Sequence, residues 1–298
     1  MSSSSSSGDQ WFEWLVHRRH GDDPAALGEL AVKLRTFRDQ VLDHANLHPG
    51  DILADIGAGD GLIGFGALDR VGENARVVFV DISQDLLDLC AERAEQLGVV
   101  GRCTFLTASA DALTGLTDAS VDVVTTRSVL IYVKDKPACF REFYRVLRPG
   151  GRLSIFEPIN RFCADTHRSP NFAGYDLSAI PAVAEKLNVF YEAIQPPDHP
   201  MLDFDERDLL HQAQAAGFGE LHLQLNADIE PRVPVRRWDT FLASSGNPQV
   251  PTLREAIEQA LTPAEAQLLS THLRPAVESG RGNHRLATAY LWARRSAS

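Results

Sequence analysis

The segment Leu53-Ala54-Asp55-Ile56-Gly57-Ala58-Gly59-Asp60-Gly61 constrains this chain more than any other. A short apolar run, Asp51 to Ile56, stops at a cluster of glycines, and a second apolar run, Arg76 to Val80, ends at Asp81. A strand that ends in glycines before a helix lets the backbone turn sharply and lets a ligand reach the main chain without meeting Cβ atoms. The order of the segments predicts a βαβ unit.

The same alternation continues. Leu86 to Leu97 reads as a helix, Cys103 to Thr107 and Val121 to Thr125 as strands, Lys136 to Leu147 as a helix and Leu153 to Phe156 as a strand. Alternating strands and helices predict an α/β fold with a doubly wound, mostly parallel sheet. Ahead of it, Trp11 to Arg19 and Pro24 to Ala45 have helical apolar spacing. After Glu157 the alternation breaks at Pro170, Pro181, Pro196, Pro197 and Pro200, with one helix near Ile180 to Ala193. It resumes with a helix from Glu206 to Ala216, a strand from Glu220 to Leu225 and a last strand from Arg285 to Ala293. Thr262-Pro263-Ala264-Glu265 has the form of a capping box and predicts a helix through Leu273.

The expected organisation is a disordered tail over 1–9, N-terminal helices over 10–46 that serve partly as a lid, and a cofactor-binding core over 47–159. A lid insertion over 160–202, core again over 203–233, a helical insertion over 234–281, and a last core strand with its tail over 282–298 complete it.

A length of 298 residues, 44% hydrophobic, suffices to bury such a sheet. The formal net charge of -11 argues against a nucleic-acid partner, which needs a basic face. The basic cluster from Arg141 to Arg152 reads as the solvated face of a helix and its turn. Cys90, Cys103, Cys139 and Cys163 have neither CxxC nor Cys/His spacing, so no metal site or disulfide framework is expected, and a cytoplasmic location fits. Met1 to Ser7 lack the features of a signal peptide and should be disordered, and no apolar stretch predicts a membrane partner. A monomer and a homodimer both remain open.

Further motifs refine the ligand. A carboxylate at Asp81, twenty residues past Gly61, suits both hydroxyls of a ribose, and Ile82 beside it suits an adenine face or plain core packing. Gly59 to Gly64 also satisfies the GxGxxG dinucleotide pattern, which keeps an NAD-dependent oxidoreductase as an alternative. Ala110-Asp111-Ala112 follows the third strand, and Leu147-Arg148-Pro149-Gly150-Gly151 precedes the fifth. Taken in order, the glycine loop, Asp81, Asp111 and the LRPGG turn resemble the class I S-adenosylmethionine-dependent methyltransferases. The similarity covers about residues 50 to 157 and is nearest to the group that includes the ubiquinone and menaquinone biosynthesis C-methyltransferases.

That resemblance implies a Rossmann-like fold with an antiparallel last strand and helical lid insertions. S-adenosylmethionine is then the cofactor, with Asp55, Gly57, Gly59, Gly61, Asp81, Ile82, Ala110, Asp111 and Arg127 as its binding residues. Asp55 would position the amino end of the methionine moiety, or simply bind loop N–H groups; Asp111 would accept from the adenine amino group. The implied activity is methylation of O, C or N on a small organic acceptor, of the kind met in natural-product biosynthesis; a non-catalytic cofactor-binding protein on the same fold is a further alternative.

Methyl transfer from a sulfonium needs alignment more than chemistry, and a base only where the acceptor must lose a proton. Ligands gather beyond the carboxyl ends of the strands. There the chain offers Arg127, either for an anionic substrate group or for an internal ion pair, together with Tyr132. His167, in the insertion, is the candidate base, with His199 nearby. Trp11, Trp14, Tyr175, Phe190 and Tyr191 would line an acceptor pocket or pack in the core.

Overall fold

A computed structural model describes residues 9–167 and 170–297, the side chains of 164–167 excepted. The expectation for Met1 to Ser7 therefore lies outside the described residues, as does any role of the His167 side chain. The strands are β1 (Ile52–Ile56), β2 (Arg76–Asp81), β3 (Cys103–Thr107), β4 (Val121–Arg127), β5 (Leu147–Pro158), β6 (Asn171–Phe172), β7 (Tyr175–Asp176), β8 (Glu220–Glu230) and β9 (His284–Arg294). The α-helices are α1 (Gln10–Glu13), α2 (Pro24–Ala45), α3 (Leu62–Val71), α4 (Gln84–Gln96), α5 (Lys136–Val146), α6 (Pro181–Ile194), α7 (Glu206–Ala215), α8 (Trp238–Ala243), α9 (Leu253–Ala260) and α10 (Pro263–Ser279).

Seven strands form one sheet in the order β3-β2-β1-β4-β5-β9-β8. β1 to β5 run parallel and β9 runs antiparallel to β5, as the fold class predicts. The parallel strands are apolar on both faces because helices cover both, so β1 is buried from Leu53 to Ile56 and β4 is nearly all buried. α3 lies close on its face because Gly64 has no side chain: a Cβ there would enter the Phe79 ring. Phe79 in turn packs against Phe65 and Phe105, with ring centroids 5.0 and 5.4 Å away. α4 starts where the Ser83 hydroxyl accepts from Leu86 N at 3.1 Å, and α5 where Asp135 accepts from Ala138 N at 2.9 Å.

Two sequence expectations are corrected in this region. The LRPGG segment is no free turn before a strand at Leu153; it is the opening of β5, which pairs with Val121 at Leu147 and again with Val123 at Arg152. The extra residues bulge out at Gly150, whose φ is +78°, and are held from far along the chain. Gly150 N donates to Arg295 O, and Arg295 N to Gly151 O, both at 2.9 Å. The basic cluster from 141 to 152 is solvated at Arg141, as expected, but from Arg145 on its arginines are engaged by carboxylates. Arg145 pairs with Glu142 and Asp118, Arg148 with Asp122, and the nearly buried Arg152 with Asp51.

The chain divides into two compact units. One comprises 31–159, 204–226 and 288–298 and holds the parallel strands; the other comprises 1–30, 160–203 and 227–287. The N-terminal segment and both insertions thus gather into one body, whose boundaries at 30, 227 and 287 differ from the expected 46, 234 and 281. Its core is Leu177, Leu187, Leu269, Leu273 and Val277, none with exposed surface. Trp14 Nε1 donates to Ser245 O at 3.0 Å and Arg18 pairs with Glu255 at 2.5 Å, which fasten the N-terminal helix within this unit. The capping box at Thr262 and Glu265 is formed, and α10 runs past Leu273 to Ser279 with Pro275 inside it.

Candidate functional site

The glycine turn is built by backbone that only glycine takes without strain. Gly57, Gly59 and Gly61 have φ of +67°, +56° and +77°. A Cβ on Gly57 would enter the Val129 side chain, and one on Gly61 would lie 2.5 Å from the Phe65 ring. Gly57 N and Ala58 N both donate to Val80 O, at 2.8 and 3.0 Å, which ties the turn to the end of β2. From below, the Cys90 thiol donates to Gly59 O at 3.3 Å and Arg93 donates to Asp60 O at 3.3 Å. Burial pushes the Cys90 thiol well up, so it stays a neutral donor.

Register places three charged groups on one face of three adjacent strands. Asp55 pairs with Phe79 on β2 and with Thr125 on β4; Asp81 and Arg127 stand two residues beyond those partners. Side chains two apart on a strand share a face. Asp81 Oδ2 accepts from Gly59 N at 2.8 Å and its Oδ1 from Ser83 N at 3.0 Å. Asp55, 1% exposed, accepts from Gly64 N at 2.9 Å and from the Thr125 hydroxyl at 3.2 Å. Gly61, the N-cap of α3, has no side chain to offer, so Asp55 satisfies one of the orphan amides of the first turn. Desolvation raises the Asp55 carboxyl to about 7 against these hydrogen bonds.

Ala110 is buried and Asp111 half buried in a tight turn where Ala112 N donates to Ser109 O at 3.0 Å. The Ser109 hydroxyl donates to Asp111 Oδ1 at 2.5 Å and fixes its carboxyl. Ile82, beside the buried Asp81, is 51% exposed, which core packing does not explain.

The loop after β4 rests on a residue whose role sequence reading missed. Glu157, wholly buried on β5, accepts from Val129 N and Leu130 N at 2.8 and 2.9 Å through Oε1, and from Ile131 N at 3.3 Å through Oε2. It caps the short 3₁₀ turn Leu130–Tyr132 and so places Tyr132. Ser128, at a φ of +57°, makes the bend, with its N–H on Phe156 O at 2.9 Å. Burial raises Glu157 to about 7. An acid at a strand end opposite a short apolar run was the available signal; Ser109 and Cys90 gave none.

The other sequence candidates belong to the unit that holds both insertions. Tyr175 is buried in the core of the unit that holds both insertions, where burial pushes its phenol up, and Tyr191 packs against the same core. His199 Nδ1 accepts from Met201 N at 3.2 Å within its own turn. Among the described residues, no group of three or more His, Cys, Asp or Glu is placed to hold a metal ion, and no helix is long and apolar enough to cross a membrane.

Residues 47–202, just over half of the chain, match the family model described as a methyltransferase domain. The chain is a class I S-adenosylmethionine-dependent methyltransferase by family. A ubiquinone/menaquinone biosynthesis C-methyltransferase of Hydrogenovibrio crunogenus is 31% identical over 123 residues, 41% of this chain and 48% of that protein. The enzyme of the same name from Klebsiella pneumoniae is 29% identical over 189 residues, 62% of this chain and 72% of that protein. The first of these matches thus spans about half of the relative's length. Among solved structures, a geranyl diphosphate methyltransferase in complex with SAM has a TM-score of 0.52 and is 17% identical, with 92% of each chain covered. Family membership overturns the NAD-dependent reading of Gly59 to Gly64, in which Gly64 serves helix packing against Phe79.

The residues of this methyltransferase fit the cofactor of its family. The glycine turn is a cradle that Cβ atoms at Gly57 and Gly61 would fill. Asp81 would hold the ribose, Ile82 the adenine face and Asp111 the adenine amino group.

Proposed function

We propose that the chain transfers a methyl group from S-adenosylmethionine to carbon, oxygen or nitrogen of a small organic acceptor. The observation that carries this reading is Asp81: a buried carboxylate that fixes the glycine turn through Gly59 N and lies beside an exposed Ile82. The bound cofactor supplies a methyl group on a sulfonium, an already good leaving group. The chain's own part is alignment. Asp81 and Asp111 orient the adenosine half, the turn at Gly57 sets the approach to the end of β1, and Glu157 holds Tyr132 at the end of β4 on the acceptor side. His167 is kept as a candidate base for an acceptor that must lose a proton.

Relatives named as C-methyltransferases support carbon as the first nucleophile to test. A net charge of -11, with the arginines from 145 to 152 engaged by carboxylates, supports a small molecule over nucleic acid. The thiols of Cys90, Cys103, Cys139 and Cys163 are free, which suits a reducing compartment such as the cytoplasm.

The test is transfer of label from methyl-labelled S-adenosylmethionine to a panel of phenols, activated carbon acids and amines, read by mass spectrometry. A methylated product in any class supports the proposal. Saturable S-adenosylhomocysteine binding with no turnover across the panel would favour a non-catalytic cofactor-binding protein.

A further inference from the structure

Arg127 ends β4 on the face that carries Asp55 and Asp81, two residues beyond the Thr125 that donates to Asp55. It is half buried, and among the described residues its guanidinium makes no hydrogen bond and no ion pair. Its nitrogens are not among the buried unsatisfied atoms, so its five donors are open to solvent and to an incoming anion. Its neighbours in the chain show the alternative: Arg145, Arg148 and Arg152 are each engaged by a carboxylate. The sequence left open an internal ion pair for Arg127, and among the described residues none is formed. Asp55 is near enough to feel the Arg127 charge, but its oxygens face Gly64 N and the Thr125 hydroxyl.

The backbone beyond Arg127 is held in place. Ser128 takes its left-handed bend on Phe156 O, and the next three amides sit on Glu157. The backbone that carries this cation is thus held at the sheet's carboxyl edge, on the face that carries Asp55 and Asp81. An amino-acid zwitterion needs that arrangement, with negative potential toward its ammonium and a cation toward its carboxylate.

We propose that Arg127 is a carboxylate-binding residue of the cofactor site and takes the α-carboxylate of the amino-acid half of S-adenosylmethionine. This inference rests on the cofactor assignment made above.

Calorimetry with two ligands tests it: S-adenosylhomocysteine and its decarboxylated analogue, S-adenosyl-3-thiopropylamine, which lacks only the carboxylate. The wild-type protein should prefer the first by about tenfold or more, as a charge-assisted pair requires. Arg127→Met should lose that factor for S-adenosylhomocysteine and leave the analogue's affinity unchanged, which also shows that the variant is folded. Arg127→Lys, keeping charge but losing the planar fork, should retain part of the preference. Equal wild-type affinity for the two ligands, or equal losses for both in Arg127→Met and Arg127→Lys, would overturn the assignment of Arg127. No wild-type binding of either ligand would overturn the cofactor assignment itself.

Discussion

Asp81 fixes Gly59 N and Ser83 N, and in the proposed cofactor site the same carboxylate would also receive the ribose. Asp81→Ala should therefore weaken S-adenosylhomocysteine by about 2 kcal/mol, the range of a charge-assisted hydrogen bond. Calorimetry on the folded variant measures it, and an unchanged affinity removes Asp81 from the site. Gly57 offers a test of the turn itself. At a φ of +67°, with Val129 against the missing Cβ, Gly57→Ala should cost about 2 kcal/mol or more in urea unfolding. Adding Val129→Ala should recover the steric part and leave the backbone part, so a double variant no better than the single one would place the cost elsewhere. These residues were legible in sequence because strand, glycines and acid are local. Asp55 was legible as an acid able to bind nearby N–H groups, as it does with Gly64 N; that Thr125 would also meet it depends on β4, seventy residues away.

Elements were legible where their signals are short-range, and the misses have physical reasons. The capping box Thr252-Leu253-Arg254-Glu255 announces α9 as plainly as Thr262 to Glu265 announces α10, and it was overlooked beside Pro251. The hairpin of β6 and β7 turns on Ala173 and Gly174, both at positive φ, where alanine replaces the asparagine that usually signals such a turn. The LRPGG bulge needs Arg295, which no local window contains. The ends of β1 and β5 share a property with a measurable consequence: burial raises both Asp55 and Glu157 to about 7, above the ordinary carboxylate range. An unfolded chain releases both protons near pH ~4, so between there and about 7 the native state binds more protons. These two groups therefore lower stability as pH rises through that window and add no further loss above it. Thermal unfolding between about pH 4.5 and about pH 7.5 should show a downward contribution on the order of 3 kcal/mol per group. Asp55→Asn and Glu157→Gln should each flatten the slope relative to wild type. A slope that neither variant changes would mean that both carboxyls ionise in place.

At the scale of the whole molecule the chain keeps two cores, and the sequence showed the insertions without showing that they share one of them. Leu177 and Leu187 from the first insertion meet Leu269, Leu273 and Val277 from the second across some ninety residues, a pairing that periodicity does not encode. Asp55, Asp81, Asp111 and Arg127 all belong to the other unit. A ligand that binds only the native state stabilises it by about 2.7 kcal/mol at a hundredfold excess over its Kd. S-adenosylhomocysteine alone should therefore slow amide exchange in β1, β2 and β4 by up to the corresponding factor of about a hundred. It should leave α6 and α10 much less changed, because a separate core opens as its own cooperative unit. The lid proposed for 160–202 makes a further demand. Lids are drawn from the low-stability end of a structure and close on the full set of reactants, so exchange in 160–202 should slow only when an acceptor joins the cofactor product. Protection of α6 and α10 equal to that of β1 with S-adenosylhomocysteine alone would mean that the two units open as one. Failure of the ternary complex to protect 160–202 would remove the lid role and send the acceptor to the loops of the parallel sheet, with Tyr132 and the turn that Glu157 holds as the next place to look.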